Sequence, residues 1–306
     1  MKILVSGGAG FIGAHSVRAL LDAGHAVQAV DDLSHGRREA LPAGASLEVL
    51  DVRSPELLAR VAALRPDAVL HLAAQMDVRK SVADPLFDAS VNVLGTLNLL
   101  EAARRAGAKR FVFASSGGAI YGEQEVFPAP ESHPRRPASP YGVSKLCAEE
   151  YVAHYRLAHR LSTLSLRYAN VYGPGQDPQG EAGVVAIFCG KLTKGESPTI
   201  NGDGLQTRDY VHVSDVARAN RLAIESQAPG VLNIGTGREC DVVTLARLLA
   251  SALGARPDFR HGPPAPGEQR RSVVDAAAAA SVLGWKPEVA LEQGLRDTAE
   301  WFAKKK

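Results

Sequence analysis

The chain has 306 residues, 45% hydrophobic and 22% charged, with a formal net charge of +2. That length sustains a large buried core in one or two domains, and the near-neutral charge gives no reason to expect nucleic acid or an anionic membrane as partner. Three widely separated cysteines, Cys147, Cys189 and Cys240, make neither a disulfide framework nor a CxxC metal pair, which suits a reducing cytoplasm.

The apolar start breaks at Gly7 and Gly8, so no leader is expected. No apolar run approaches the roughly 18–20 residues of a membrane helix. Strands are expected at Lys2–Ser6, Ala26–Asp31, Leu47–Asp51, Ala68–Leu72, Arg110–Ser115 and Ser162–Arg167. Helical spacing or length fills the intervals at Phe11–Gly24, Pro55–Leu64, Pro85–Ala106 and Tyr141–His159. This alternation implies an α/β protein, a Rossmann-type doubly wound parallel sheet covered by helices on both faces. Beyond Tyr172 the texture changes to a Gly/Pro-rich loop and shorter strands, with Val231–Gly235 returning to the first sheet. A cofactor domain of residues 1–172 plus 211–236 and a smaller α/β substrate domain of 173–210 plus 237–306 are therefore expected.

Immediately after the first strand stands GGAGFIG (Gly7–Gly13), with Gly7, Gly10 and Gly13 in GxxGxxG spacing at the mouth of a helix. Such glycines permit a tight turn, backbone approach to a pyrophosphate and close helix–strand packing, and the helix N-terminus faces the phosphate charge. Asp31 ends the second strand about twenty residues on, where a carboxylate binds ribose hydroxyls and repels a 2′-phosphate. NAD is thus favoured over NADP, with Arg37 and Arg38 leaving the second open. Asp51 and Val52 end the third strand near the adenine position, although an ordinary strand-end Asp reads equally well.

The stretch SPYGVSK (Ser139–Lys145) sets Tyr141 and Lys145 one helical turn apart. On its own this is a helix start with two surface residues. After a dinucleotide-type glycine loop and a strand ending in Ser115-Ser116, it reads instead as a phenol base whose pKa is drawn down by an ammonium. One serine hydroxyl would bridge Tyr141 and the substrate oxygen. Ser116 is expected in that role and Ser115 on the cofactor, while Gly117-Gly118 leaves the register between them open.

Taken together, GGAGFIG, DDLSHG (Asp31–Gly36), HLAAQ (His71–Gln75), NVLGT (Asn92–Thr96), ASSGGAIYG (Ala114–Gly122), SPYGVSK, RYANVYGPGQ (Arg167–Gln176), RDYVHVSDVA (Arg208–Ala217) and NIGTG (Asn233–Gly237) resemble the extended short-chain dehydrogenase/reductases. Within them the chain is similar to the UDP-sugar 4-epimerases, typified by UDP-glucose (UDP-galactose) 4-epimerase. The resemblance implies cofactor contacts from Phe11, Ile12, Asp32, Leu33, Ser34, Gly36, Leu72, Ala73, Ala74, Gln75, Asn92 and Tyr168, besides the residues above. It implies sugar-nucleotide contacts from Asn170, Gly183, Val184, Arg208, Glu268 and Ser272. The reaction implied is redox-neutral: Tyr141 takes the C4 hydroxyl proton, bound NAD takes and returns the C4 hydride, and a 4-ketose turns over between the two steps.

Two departures bear on the substrate. Ala265 occupies the place of an Arg in the family's diphosphate loop, with Arg270 or Arg271 as substitutes. Ser272 falls where a bulky Tyr in some relatives excludes N-acetylated sugars, so UDP-N-acetylhexosamines are expected as well as UDP-hexoses. Competing readings are a nucleotide-sugar 4,6-dehydratase or decarboxylase, and a non-catalytic NAD-binding regulator. The first lacks support because Gly117–Ile120 carries no acid, and the second because Ser, Tyr and Lys are all kept. His71, His133 and His212 are dispersed, so no metal site is expected. The apolar content of Pro85–Ala106 and Tyr141–His159 exceeds one amphipathic stripe, and family members pair such helices in homodimers.

Overall fold

The computed structural model describes residues 1–179, 183–256, 258–264 and 269–305. Seven parallel strands form the main sheet, in the order Gly230–Ile234, Ser162–Tyr168, Arg110–Ser116, Ala68–His71, Lys2–Ser6, Ala26–Asp31 and Ser46–Val49. The strands are near-continuous apolar runs because both faces are covered. Ile3 and Val5 join Leu70, Val112 and Leu166 in a core closed by Val17 and Leu20 of helix Phe11–Asp22 and by Val216 and Ala219 of helix Val213–Glu225. Leu4, pointing the other way, joins Val69, Phe111 and Phe113 beneath Leu57, Leu99, Leu100 and Ala148. Strand order reverses between Lys2–Ser6 and Ala68–His71, which opens a crevice at the carboxyl ends of the strands.

A third core, including Phe188, Cys189, Leu245, Leu249, Leu295 and Phe302, lies among helices Val184–Thr193, Val242–Ala252 and Leu291–Lys304. Beside it runs a small sheet centred on Thr207–His212, flanked by Glu239–Asp241, Arg271–Ser272 and Asn170–Tyr172. The chain thus leaves the main sheet at Ala169 and enters the small one within a single residue. The buried Trp285 reaches back the other way, packing in the main-sheet core and donating its Nε1–H to the Asp215 carbonyl at 2.9 Å.

Two elements differ from the sequence expectation. The third strand stops at Val49 rather than Asp51, since the Asp51 carboxylate accepts from the Arg53 backbone at 2.7 Å and closes a turn. Pro85–Ala106 is not one helix but Pro85–Ala89, a π-helical turn at Ser90–Leu94, and Gly95–Ala106. Side chains compete for its carbonyls there: Ser90 Oγ donates to Phe87 at 2.7 Å and Thr96 Oγ1 to Asn92 at 2.6 Å. Such turns favour functional positions, and this one carries Asn92.

Candidate active site

A cavity of 370 Å³ occupies the crevice at the switch point. Its floor is the glycine turn. Gly7 has φ +70°, and a Cβ there would stand 2.7 Å from the Ala73 nitrogen. A Cβ on Gly13 would stand 2.0 Å from the Gly7 carbonyl oxygen, so turn and helix touch only because both residues lack side chains. Asp31, buried at the end of the second strand, accepts from the Ala9 and Leu33 amides, each at 2.9 Å, and burial raises its pKa.

Gly7, Gly10, Phe11, Ile12, Gly13, Asp31, Asp32, Ser34, Gly36, Asp51, Val52, Leu72, Ala73, Ala74, Gln75, Ser115, Tyr141, Lys145 and Tyr168 all line this cavity. Leu33 does not; its backbone, at φ +59°, shapes the turn beside Asp31. Arg37 and Arg38 are also absent from the lining, and the Arg37 amide donates to Ala9.

Asn92 stands behind the wall. Its Oδ1 accepts from the Gln75 amide at 3.0 Å, while its Nδ2 donates to the Gln75 carbonyl at 2.8 Å and to Asp88 at 3.0 Å. His71, one strand residue before Leu72, is wholly buried between Ser6 and Thr96, at 2.7 and 2.9 Å. Thr96 spends its proton on the Asn92 carbonyl, so His71 Nε2 donates to Thr96 and Nδ1 accepts from Ser6. Burial, helped by the Lys145 charge, pushes the imidazole down to about 3, so it stays neutral.

At the far end of the cavity the last residues of strand Arg110–Ser116 face helix Pro140–His159. Ser139 caps that helix, accepting from the Gly142 amide, with Pro140 in the first turn. Gly142 lets the helix press close: a Cβ there would lie 2.6 Å from the Ala119 carbonyl oxygen. Lys145 is buried and donates to the Ala114 carbonyl at 2.9 Å. The Ser116 hydroxyl accepts from the Ala119 amide at 3.2 Å and lies near enough to the Tyr141 phenol to oppose the rise in its pKa, so it is Ser116, not Ser115, that faces the tyrosine. Ser115 Oγ donates to Glu149 at 2.8 Å.

The electrostatics differ from the expectation of a phenol drawn down by its lysine. Burial pushes Tyr141 up to about 12, against the Ser116 hydrogen bond and with the help of the Asp88 charge. Burial likewise pushes Lys145 down to about 8, with Asp88 opposing. For both groups desolvation is the largest cause of the shift. Asp88 is the residue that sequence reasoning missed. Fully buried in the helix before the π turn, it accepts from Gln75 at 2.9 Å, Asn92 at 3.0 Å and Ser144 at 2.6 Å. Its signal was present: Asp88 and Asn92 are four apart, as are Tyr141 and Lys145.

The sugar-nucleotide candidates fall around the neighbouring small sheet. Ser272 is buried beside Arg208 in parallel register, and Asn170 pairs with Tyr210 further along the same central strand. A Cβ on Gly118 would stand 3.7 Å from Asn170 Oδ1 and 3.9 Å from Ser272 Oγ, so Gly118 faces both. Arg208 donates to the Thr207 carbonyl at 2.8 Å. Gly183 caps the helix that begins at Val184. Neither Gly183 nor Val184 lines the 370 Å³ cavity. Ala265 and Glu268 lie outside the described residues. Among the described residues no His/Cys/Asp/Glu cluster suits a metal ion, and no helix is long and apolar enough to cross a membrane.

Residues 3–235 match the model of the NAD dependent epimerase/dehydratase family. The chain is 45% identical over 311 residues to a UDP-glucose 4-epimerase of Mycolicibacterium smegmatis, covering 100% of this chain and 99% of that one. It superposes with TM-score 0.97 and 47% identity on a Thermotoga maritima UDP-glucose 4-epimerase solved with UDP-glucose, covering 100% and 99% of the two chains. A Thermus thermophilus UDP-glucose 4-epimerase in complex with NAD gives 0.95 and 45%, with 99% of each chain covered.

Proposed function

Because the chain belongs to the NAD-dependent epimerase/dehydratase family, we propose that it is a UDP-sugar 4-epimerase, interconverting UDP-glucose and UDP-galactose with NAD held in the 370 Å³ cavity. The observation that carries this reading is the Tyr141 phenol, with Ser116 beside it and Lys145 one turn on, at one end of a cavity whose other end is the Gly7–Gly13 turn. NAD fits these residues: the turn is a cradle that any Cβ would fill, and the Asp31 carboxylate at the end of the second strand lines the cavity.

When bound, the nicotinamide supplies a hydride acceptor that returns the hydride later in the same cycle. The chain supplies the rest. Tyr141 takes the proton of the sugar C4 hydroxyl at its phenol oxygen and gives it back to the other epimer. Ser116, with its own oxygen engaged by the Ala119 amide, offers its proton to the phenol or to the sugar oxygen. Lys145, fixed to the Ala114 carbonyl, places a cation behind the site and favours phenolate over phenol. Asn170, Arg208 and Ser272 hold the sugar nucleotide, Gly183 and Val184 border it, and the small side chain of Ser272 leaves room for an acetamido group. Residues 1–172 with 211–236 would serve the cofactor, and 173–210 with 237–306 the sugar nucleotide, although Trp285 leans back into the cofactor half.

The exposed side chains Val82, Leu86, Leu94, Val143 and Leu157 sit on the helices around the Tyr141 helix, Leu86 at 83% exposure. A second copy of the chain would cover them in a homodimer, which sedimentation would reveal. The function itself is tested by incubating the purified protein with UDP-galactose, no cofactor added, and identifying products by proton NMR. UDP-glucose is the expected product. Unchanged substrate, even after NAD is supplied, would refute the reading.

A further inference from the structure

Helix Pro140–His159 touches the end of strand Arg110–Ser116 at three points, one helical turn apart. Lys145 Nζ holds the Ala114 carbonyl at 2.9 Å, the Glu149 carboxylate accepts from Ser115 Oγ at 2.8 Å, and Tyr141 meets the Ser116 hydroxyl. Three consecutive strand residues are thus read by positions four apart on one helix face. We propose that Glu149 is a positioning residue: by gripping Ser115 it fixes where Ser116 stands against Tyr141. The inference rests on the epimerase reading, in which Ser116 and Tyr141 act on the sugar.

The grip is built to be rigid. Arg167, paired in register with Ser115 on the adjacent strand, donates Nε to the same Glu149 oxygen at 3.0 Å and Nη2 to the other. A planar guanidinium on a carboxylate fixes direction as well as distance. Arg167 is itself anchored, its Nη1 donating to the Tyr121 hydroxyl at 2.9 Å and to the Glu131 carbonyl at 3.1 Å. Ser115, Glu149 and Arg167 are all buried, at 4%, 2% and 2% exposure. An ion pair so buried is a poor route to stability compared with apolar packing, so its presence asks for another reason. The reason lies just beyond. Gly117 and Gly118 follow Ser116 with no side chains to wedge it in place; the Ala119 amide holds its hydroxyl in front, and Ser115 steadies it from behind.

The test uses Ser115→Ala in the full-length enzyme, since Glu149→Gln also strips Arg167 of its charge partner and risks misfolding. Turnover of UDP-galactose, bound NAD content and melting temperature are measured together. A positioning role predicts that kcat falls about tenfold, as small misplacements of reacting groups do, while KM and NAD content stay at wild-type values. Glu149→Gln, where it folds, should lose at least as much kcat. An S115A enzyme with kcat within twofold of wild type, whatever its melting temperature, would overturn the proposal. So would a loss expressed in NAD content or KM, which would make Ser115 a cofactor or substrate contact. A wild-type protein that leaves UDP-galactose unchanged would overturn the epimerase reading, and this inference with it.

Discussion

The two ends of the groove are built by different means. At the glycine-turn end the shape is a matter of backbone: Gly7 and Gly13 stand within distances that no Cβ tolerates, and the Asp31 carboxylate ties the turn to the second strand. At the reacting end the backbone only delivers side chains, and their relations are set by Ser116, Tyr141, Lys145, Asp88 and Glu149 acting on one another. Damage at the first end should therefore cost cofactor, and damage at the second should cost chemistry with cofactor retained.

The sharpest test of that contrast is Tyr141→Phe. Removing the phenolic oxygen leaves the ring and its packing, so NAD should still be retained, while kcat falls by roughly a thousandfold or more as general base catalysis is lost. NMR turnover and the cofactor released on denaturation check both halves. Gly13→Ala should do the reverse. Its Cβ would collide with the Gly7 carbonyl, opening the turn at a cost of about 1–3 kcal/mol, and the protein should purify without NAD. A Gly13→Ala enzyme that keeps its NAD would break the distinction.

The same contrast explains what the sequence could reveal. Glycine spacing and strand-end acids are local, so the residues expected at the phosphate end fall together in one cavity, with Leu33 outside its lining. Tyr141, Lys145 and the serine pair were legible because they fall within two short stretches. The choice of Ser116 over Ser115 left the register around Gly117-Gly118 open, because what holds Ser115 away is a hydrogen bond to a helix some 30 residues away in sequence. Asp88 escaped because its neighbours Gln75, Asn92 and Ser144 come from three segments and meet only at the π turn, which propensity does not announce. The substrate side was the least legible, for its residues come from short strands joined by long loops.

On that substrate side the expected effects are smaller and selective. Ser272→Tyr puts a ring beside Arg208 and toward Gly118, into the space an acetamido group would need. Turnover of UDP-N-acetylgalactosamine should fall tenfold or more, about 2 kcal/mol of excluded binding, with UDP-galactose changed less than threefold. Competition between the two substrates in one NMR tube reads the ratio directly. An equal loss of both would remove Ser272 from specificity.

The mildest change probes the charges behind the reacting end. Lys145 titrates near 8, lowered by burial and held from falling further by Asp88. Because the cation is the useful form, its contribution should be complete below that value and be lost as pH rises through it. Asp88→Asn removes the negative charge that favours protonated Lys145, so the alkaline limb of the kcat profile should move to lower pH. The same substitution removes a charge that raises the Tyr141 pKa, so an acid limb due to the phenol should move the same way. A carboxylate whose only task was to bond Gln75, Asn92 and Ser144 would change the height of the profile and leave both limbs where they were. Movement of the limbs together, at wild-type NAD content, therefore separates an electrostatic role for Asp88 from a purely structural one.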